Sequence, residues 1–239
     1  MKEELKAALL AGFKKKEITL SDGRKVVVTQ MKVRERNKLL DTPVEEQEAA
    51  LMSAIKSCIE TKIDFDLLPV YDFELIAFEI RKLNLATPVN TITFICQNEI
   101  DGNKCGTEIK VENNLNLVRL SKMPETHIQL NPQVSVKIRY PNLLEAQYFN
   151  VEKPSDLFDL SLRMIQEIHL GNDVMKVGID IQPEELLELN DYIDSDAFDR
   201  LTEAVANMPT LVADVAVKCP KCGHHEAVRL RGLSEILDM

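Results

Sequence analysis

At 239 residues and 45% hydrophobic content, the chain can bury a core as one large or two small domains and needs no staples merely to fold. Acidic side chains outnumber basic ones by 39 to 29, and the resulting net charge of −10 argues against a nonspecific nucleic-acid binder, because it repels the phosphate backbone.

The opening segment, MKEELKAALLAGFKKKEITL, lacks the continuous apolar core of a signal peptide. No apolar run approaches the roughly 20 residues that span a bilayer, so no membrane span and a soluble, intracellular chain are expected. Its five cysteines would then sit in a reducing compartment, where clustered cysteines more often hold a metal than form a disulfide framework.

Residues 1 to 16 have the periodicity of an amphipathic helix, with Leu5, Leu9 and Phe13 on one face and Lys2, Lys6, Lys14, Lys15 and Lys16 elsewhere. Such a stripe lies on the chain's own core or docks on a partner or membrane; in the second case Leu5, Leu9 and Phe13 make the contact. EITLSDGRKVVVTQM reads as two strands around Asp22-Gly23, a dipeptide suited to a tight hairpin turn. Thr42-Pro43-Val44-Glu45 then has the N-cap hydroxyl, first-turn proline and glutamate of a helix start, leading to Leu51, Ile55 and Ile59, with Cys58 as a small buried apolar residue. A further helix from Pro69, PVYDFELIAFEIRKLNLA, is apolar around much of its circumference and should be buried on more than one side.

The texture then changes to strand. In residues 90–120 Cys96 ends a β-branched run, the turn-rich QNEIDGNK separates it from Cys105, and Gly106 precedes a second alternating strand. Residues 121–150 hold two strands, THIQL and VSVKIRY. EKPSDLFDLSLRMIQEIHLG predicts a helix capped by Ser155, with Leu157, Phe158, Leu162, Ile165 and Ile168 inward and Gly171 as its stop. Two more helices are predicted, Pro183 to about Ile193 and Ser195 to Met208.

Near the end the cysteine device recurs. A strand-like VADVAV leads to Cys219, two residues, Cys222, Gly223 and another strand from Ala227 to Leu230. KCGTEIKV and KCGHHEAVRL are two versions of one hairpin turn, and two such turns facing each other supply the four tetrahedral thiolates of a structural zinc site: Cys96, Cys105, Cys219 and Cys222. Closing the intervening loop of about 113 residues costs roughly 4 kcal/mol. Structural zinc contributes on the order of 10 kcal/mol or more, so the long spacing is no obstacle.

The predicted fold is therefore α+β. A zinc-ribbon-like small sheet built from two distant cysteine hairpins (90–120 plus 210–239) follows an N-terminal hairpin and helical region (1–89) and carries an inserted mixed α/β lobe (121–209).

Other chemistries fit poorly. A redox C-x-x-C should open a helix, and a strand follows here. Haem attachment needs histidine where Gly223 stands, and His224-His225-Glu226 lies on the wrong side of the pair for a zinc deaminase. A four-thiolate site leaves no open position for substrate, and neither a phosphate loop nor a nucleophile turn is present, so no enzyme is expected. Lys218, Lys221, Arg229 and Arg231 near the second cysteine pair are the best argument for a nucleic-acid reader, against which stand the acidic chain and an aromatic content of 5%.

In the order of these features, above all the DFE-containing helix Asp72 to Leu83 and the terminal CPKCG followed by R-G-L, the chain resembles the small baseplate hub and hub-assembly proteins of large contractile-tailed bacteriophages. The resemblance implies a non-enzymatic role through contacts with other tail and hub proteins, in the infected host cytoplasm or the virion baseplate. It gives the four cysteines as structural ligands. Lys221, Arg229 and Arg231 join Leu5, Leu9 and Phe13 as candidate partner contacts, and the competing reading is a zinc-ribbon transcription regulator that binds nucleic acid or RNA polymerase. The ending LSEILDM departs from the more aromatic segment expected of the family.

Overall fold

A computed structural model describes residues 2–147 and 153–237. In chain order the elements are α1 (Glu3–Ala11), β1 (Lys15–Thr19), β2 (Lys25–Thr29), α2 (Val33–Asp41), α3 (Gln47–Ser57), α4 (Val70–Leu83), β3 (Val89–Ile95), β4 (Glu99–Ile100), β5 (Asn103–Lys104), β6 (Glu108–Asn114), β7 (Arg119–Leu120), β8 (His127–Gln129), β9 (Val134–Ile138), α5 (Leu143–Ala146), α6 (Pro154–Arg163), β10 (Ile165–Leu170), β11 (Asp173–Lys176), α7 (Ser195–Ala206), β12 (Leu211–Lys218), β13 (His225–Arg231) and α8 (Gly232–Leu237). The fold is α+β with small antiparallel sheets, in two compact units: residues 1–63, 72–121 and 210–239, and residues 64–71 with 122–209.

The first unit is organised by α4. Ile76, Phe78 and Ile80 are fully buried, and Phe78 shares a core with Ile92, Leu115, Leu211, Ala213, Val215, Leu230 and Ile236. The helix buries carboxylates as well, which is tolerable only because each has partners. Asp72 accepts from the Ser21 N–H and hydroxyl, Glu74 from the Thr210 hydroxyl and the Leu211 N–H, and Glu79 pairs with Lys16 and Lys82. β3 pairs with β6 and β12 with β13, both antiparallel, while β7 pairs with the start of β12. Ser121 and Thr210 are hydrogen-bonded to each other, so residues 122–209 leave and re-enter this unit at adjacent points. The C-terminal α8 turns Ile236 into the core, and Asn90 and Asn113 both donate to its carbonyl. The LSEIL part of the ending is thus packing; Asp238 and Met239 lie outside the described residues.

In the second unit β11, β10, β9 and β8 form an antiparallel sheet whose apolar face meets α6 and α7 over a core that includes Val136, Ile138, Phe158, Leu162, Ile168 and Leu201. Arg139 reaches both carboxylate oxygens of Glu145, which also closes a capping box with Asn142 at the start of α5.

Several predicted elements are corrected. The N-terminal helix stops at Ala11 because Gly12 ends it and the lysine-rich segment from Lys15 pairs as β1; Phe13 lies beyond it, and α1 buries none of its own residues. The Thr42 hydroxyl bonds backward to the Lys38 carbonyl at the end of α2 instead of capping forward, and α3 follows a 3₁₀ turn, Val44–Glu46. Cys58 is buried as expected, but just past α3. The helix predicted through Ile168 ends at Arg163. Ile165 and Ile168 belong to strand β10, where a bulge between Ile165 and Glu167 lets residues three apart face the same core. Gly171, at φ 59°, is the turn into β11 and not a helix stop. Ser155 stands inside α6 after Lys153 and Pro154, and its side chain is outside the described set. The segment Pro183–Asp191 is 3₁₀.

Burial pushes the Glu145 carboxyl up, but Arg139 and the Asn142 N–H outweigh it and hold it below the usual carboxylate range. A depressed folded-state pKa gives stability that is present above the unfolded value and lost as pH falls through the folded one. Glu145→Ala is expected to cost about 1–2 kcal/mol near neutral pH, the joint loss of a cap and a partly screened ion pair. Thermal melts of parent and variant should converge as pH falls below about 4.

Candidate metal centre

Each cysteine pair is delivered by a hairpin. β3 ends at Ile95 and presents Cys96, and Cys105-Gly106-Thr107 leads into β6; β12 ends at Lys218 and presents Cys219, and Cys222-Gly223-His224 leads into β13. Both turns close with the same backbone bonds. The Cys96 N–H donates to Thr107 O at 2.9 Å and the Gly106 N–H to Cys96 O at 3.0 Å; the Cys219 N–H donates to His224 O at 2.8 Å and the Gly223 N–H to Cys219 O at 3.0 Å. Gly106 (φ 63°) and Gly223 (φ 73°) occupy the left-handed region, which a side chain would strain. The turns differ in length: residues 97–104 separate the first cysteines, only Pro220 and Lys221 the second. The extra segment folds as the β4–β5 hairpin around Asp101-Gly102, both at positive φ.

The turns face each other over Ile109 and Val217, with Phe94, Val111 and Val228 alongside. All four sulfurs lie within 4.8 Å of one another, and all four cysteines are free thiols. Cys96 Sγ is 3.7 Å from Cys222 Sγ, and Cys105 Sγ is 3.8 Å from Cys219 Sγ. A tetrahedral ion with metal–sulfur bonds of about 2.3 Å places its sulfurs about 3.8 Å apart, so the cluster could hold a metal ion with little movement.

The electrostatics point the same way. The Cys222 backbone N–H, with burial opposing and the Lys221 N–H assisting, holds the Cys219 thiol down to about 6. The Thr107 hydroxyl, 3.2 Å from Cys105 Sγ, lowers that thiol as well. At Cys96 the Asn98 N–H pulls downward, but burial and the three neighbouring sulfurs push the thiol up to about 12. One thiolate forms readily and the last proton is retained, because anionic sulfurs this close need a shared counter-charge. A cation held among the four sulfurs would supply it.

The four predicted cysteines are thus brought together, while the predicted contact residues lie on α1, just after it, in the second turn and on β13. Leu5 and Leu9 are 52% and 56% exposed, and Phe13 is partly buried. Lys221 is exposed at the tip of the second turn, and Arg229 and Arg231 are exposed on β13. Arg229 donates to Asp214 at 2.7 Å, opposite Arg119 at 2.8 Å, and these hydrogen bonds bring the Asp214 carboxyl down to about 2. Thr107 and Asn98, the latter with its side-chain amide 3.7 Å from Cys222 Sγ, were missed by sequence reasoning: threonine after a glycine and asparagine in a turn-rich run carry no spacing rule. Among the described residues no helix is long and apolar enough to cross a membrane.

Residues 13–238 match the family described as T4 bacteriophage base plate protein. The baseplate hub assembly protein gp26 of Enterobacteria phage T4 is 25% identical over 135 residues, covering 56% of this chain and 60% of that protein. The chain thus spans less than two thirds of that relative's length. No solved structure matches.

Titration of the reduced protein with cobalt(II) is expected to saturate at one equivalent, with intense thiolate-to-metal charge-transfer absorption and tetrahedral d–d bands. Cys219→Ser should remove most of the intensity, whereas Cys58→Ser, outside the cluster, should leave it intact.

Proposed function

The chain belongs to the T4 bacteriophage base plate protein family, and from that premise we propose that it is a non-enzymatic baseplate hub subunit or hub-assembly factor acting through protein–protein contacts. The observation that carries this reading is the family match along residues 13–238, joined by a relative whose name describes hub assembly. Its place of action is the infected host cytoplasm during assembly, or the virion baseplate.

The metal of the cysteine cluster is zinc, and its role is structural. Cys96, Cys105, Cys219 and Cys222 fill a tetrahedral sphere, which leaves no position for water or substrate, and their spacing suits zinc–thiolate bonds. Zinc supplies bonds that tie two hairpins distant in sequence. The chain's own residues do the rest: the glycine turns aim the sulfurs, and Phe94, Ile109 and Val217 keep the cluster partly dry. In this reading 90–120 and 210–239 form a zinc-ribbon-like sheet, 1–89 is an N-terminal region, and 121–209 is an insertion.

Support favours the assembly reading over a nucleic-acid-binding regulator. Arg229 and Arg119 share Asp214 as a partner, and the chain as a whole carries a net charge of −10, which repels a phosphate backbone. The leucines of α1 instead offer apolar contact area to a protein partner.

Native mass spectrometry of the tagged protein, isolated gently from infected cells, should show one zinc and co-purifying tail hub proteins in fixed ratio. Nucleic acid or polymerase in their place would overturn the assembly reading, and a metal-free protein would overturn the zinc site.

A further inference from the structure

The two cysteine turns close with the same backbone bonds, yet the first uses eight residues, 97–104, where the second uses two. We infer that Asn98, at the base of the longer turn, is a positioning residue for the metal ligands of both turns and couples the β4–β5 hairpin to the ion that they hold. This rests on the zinc-site reading above.

Asn98 differs from Lys221, its equivalent in the second turn, in reaching across to the opposite hairpin with its side chain. Its backbone N–H points to the Cys96 sulfur, its carbonyl accepts the Cys105 N–H at 2.7 Å, and its side-chain amide lies 3.7 Å from Cys222 Sγ. The other sulfurs draw donors from their own turns: Cys219 has the Cys222 and Lys221 N–H groups, and Cys105 has the Thr107 N–H and hydroxyl. Cys222 is served across the gap between the turns, by Asn98 from the opposite hairpin. Four thiolates around a divalent cation keep a net double negative charge, which in a half-buried site must be spread onto N–H and O–H donors. Residues 99–104 continue directly from Asn98 as a hairpin with an exposed tip, so ordering Asn98 also fixes the base of that hairpin.

Partners that orient metal ligands from outside the coordination sphere typically account for about 10–100-fold in affinity. Asn98→Ala removes only the side-chain donor, while Asn98→Asp keeps size and turn propensity but sets a carboxylate beside the thiolates. In chelator competition with the zinc-loaded full-length chain, Asn98→Ala is expected to bind zinc about 10–100-fold more weakly and Asn98→Asp more weakly still. The melting temperatures of the metal-free forms should be unchanged, the cobalt(II) charge-transfer band should shift, and amides 99–104 should lose hydrogen-exchange protection. Parent-like affinity in both variants would overturn the inference. So would an affinity loss matched by equal destabilisation of the metal-free protein, since that marks Asn98 as a fold residue only. A parent chain that holds no zinc fails earlier, at the site itself.

Discussion

Four sulfurs that lie within 4.8 Å of one another, contributed by hairpins more than a hundred residues apart, are the constraint on which the first unit depends. Left as thiols they pack as small apolar groups; left as thiolates they repel. The separations of 3.7 and 3.8 Å, the lowered Cys219 and the raised Cys96 describe one situation, a sulfur cluster that could hold a shared cation. The glycine turns fix the directions of the sulfurs, and the strands fix their distance from the core. The core, with Phe78 of α4 against Ile92, Ala213 and Val215, brings the two hairpins to the same place.

The long loop between the hairpins matters less than its length suggests. Closure entropy grows only logarithmically with loop length. The chain also reduces that cost. β7 pairs with the first residues of β12, and Ser121 and Thr210 exchange hydrogen bonds, so the segment between them starts and ends at neighbouring points. That segment has its own buried cluster around Val136, Leu162 and Leu201, and can order itself without help from the cysteines.

What the sequence made legible follows physical type. The Asp22-Gly23 hairpin, α4 and the two cysteine turns were readable because each depends on residues adjacent in sequence: a dipeptide with positive φ, an apolar helical period, a cysteine beside a glycine. β10 was misread because Ile165 and Ile168 carry helical spacing, and only the bulge opposite Lys137, a property of the paired strand, makes that spacing compatible with a sheet. Thr42 was misread because a hydroxyl between two helices can bond either way, and the choice is set by where α2 ends. The four clustered cysteines were legible as residue types, but the donors beside them were not, since Asn98 meets Cys222 only when a hairpin 124 residues away arrives beside it.

The same distinction applies to the basic residues near the second turn. Lys221, Arg229 and Arg231 look like a stripe when written in a line, but on a strand the neighbours that decide a charge's availability come from the adjacent strand. Asp214 sits directly opposite Arg229 in the β12–β13 register and also receives Arg119, so two guanidinium groups converge on one carboxylate. The pairing offsets one of the two charges, on a chain whose net charge is −10. The apolar side chains of α1 have no such internal claimant: none of its residues is buried, and a nine-residue helix without a packed face is marginal in water.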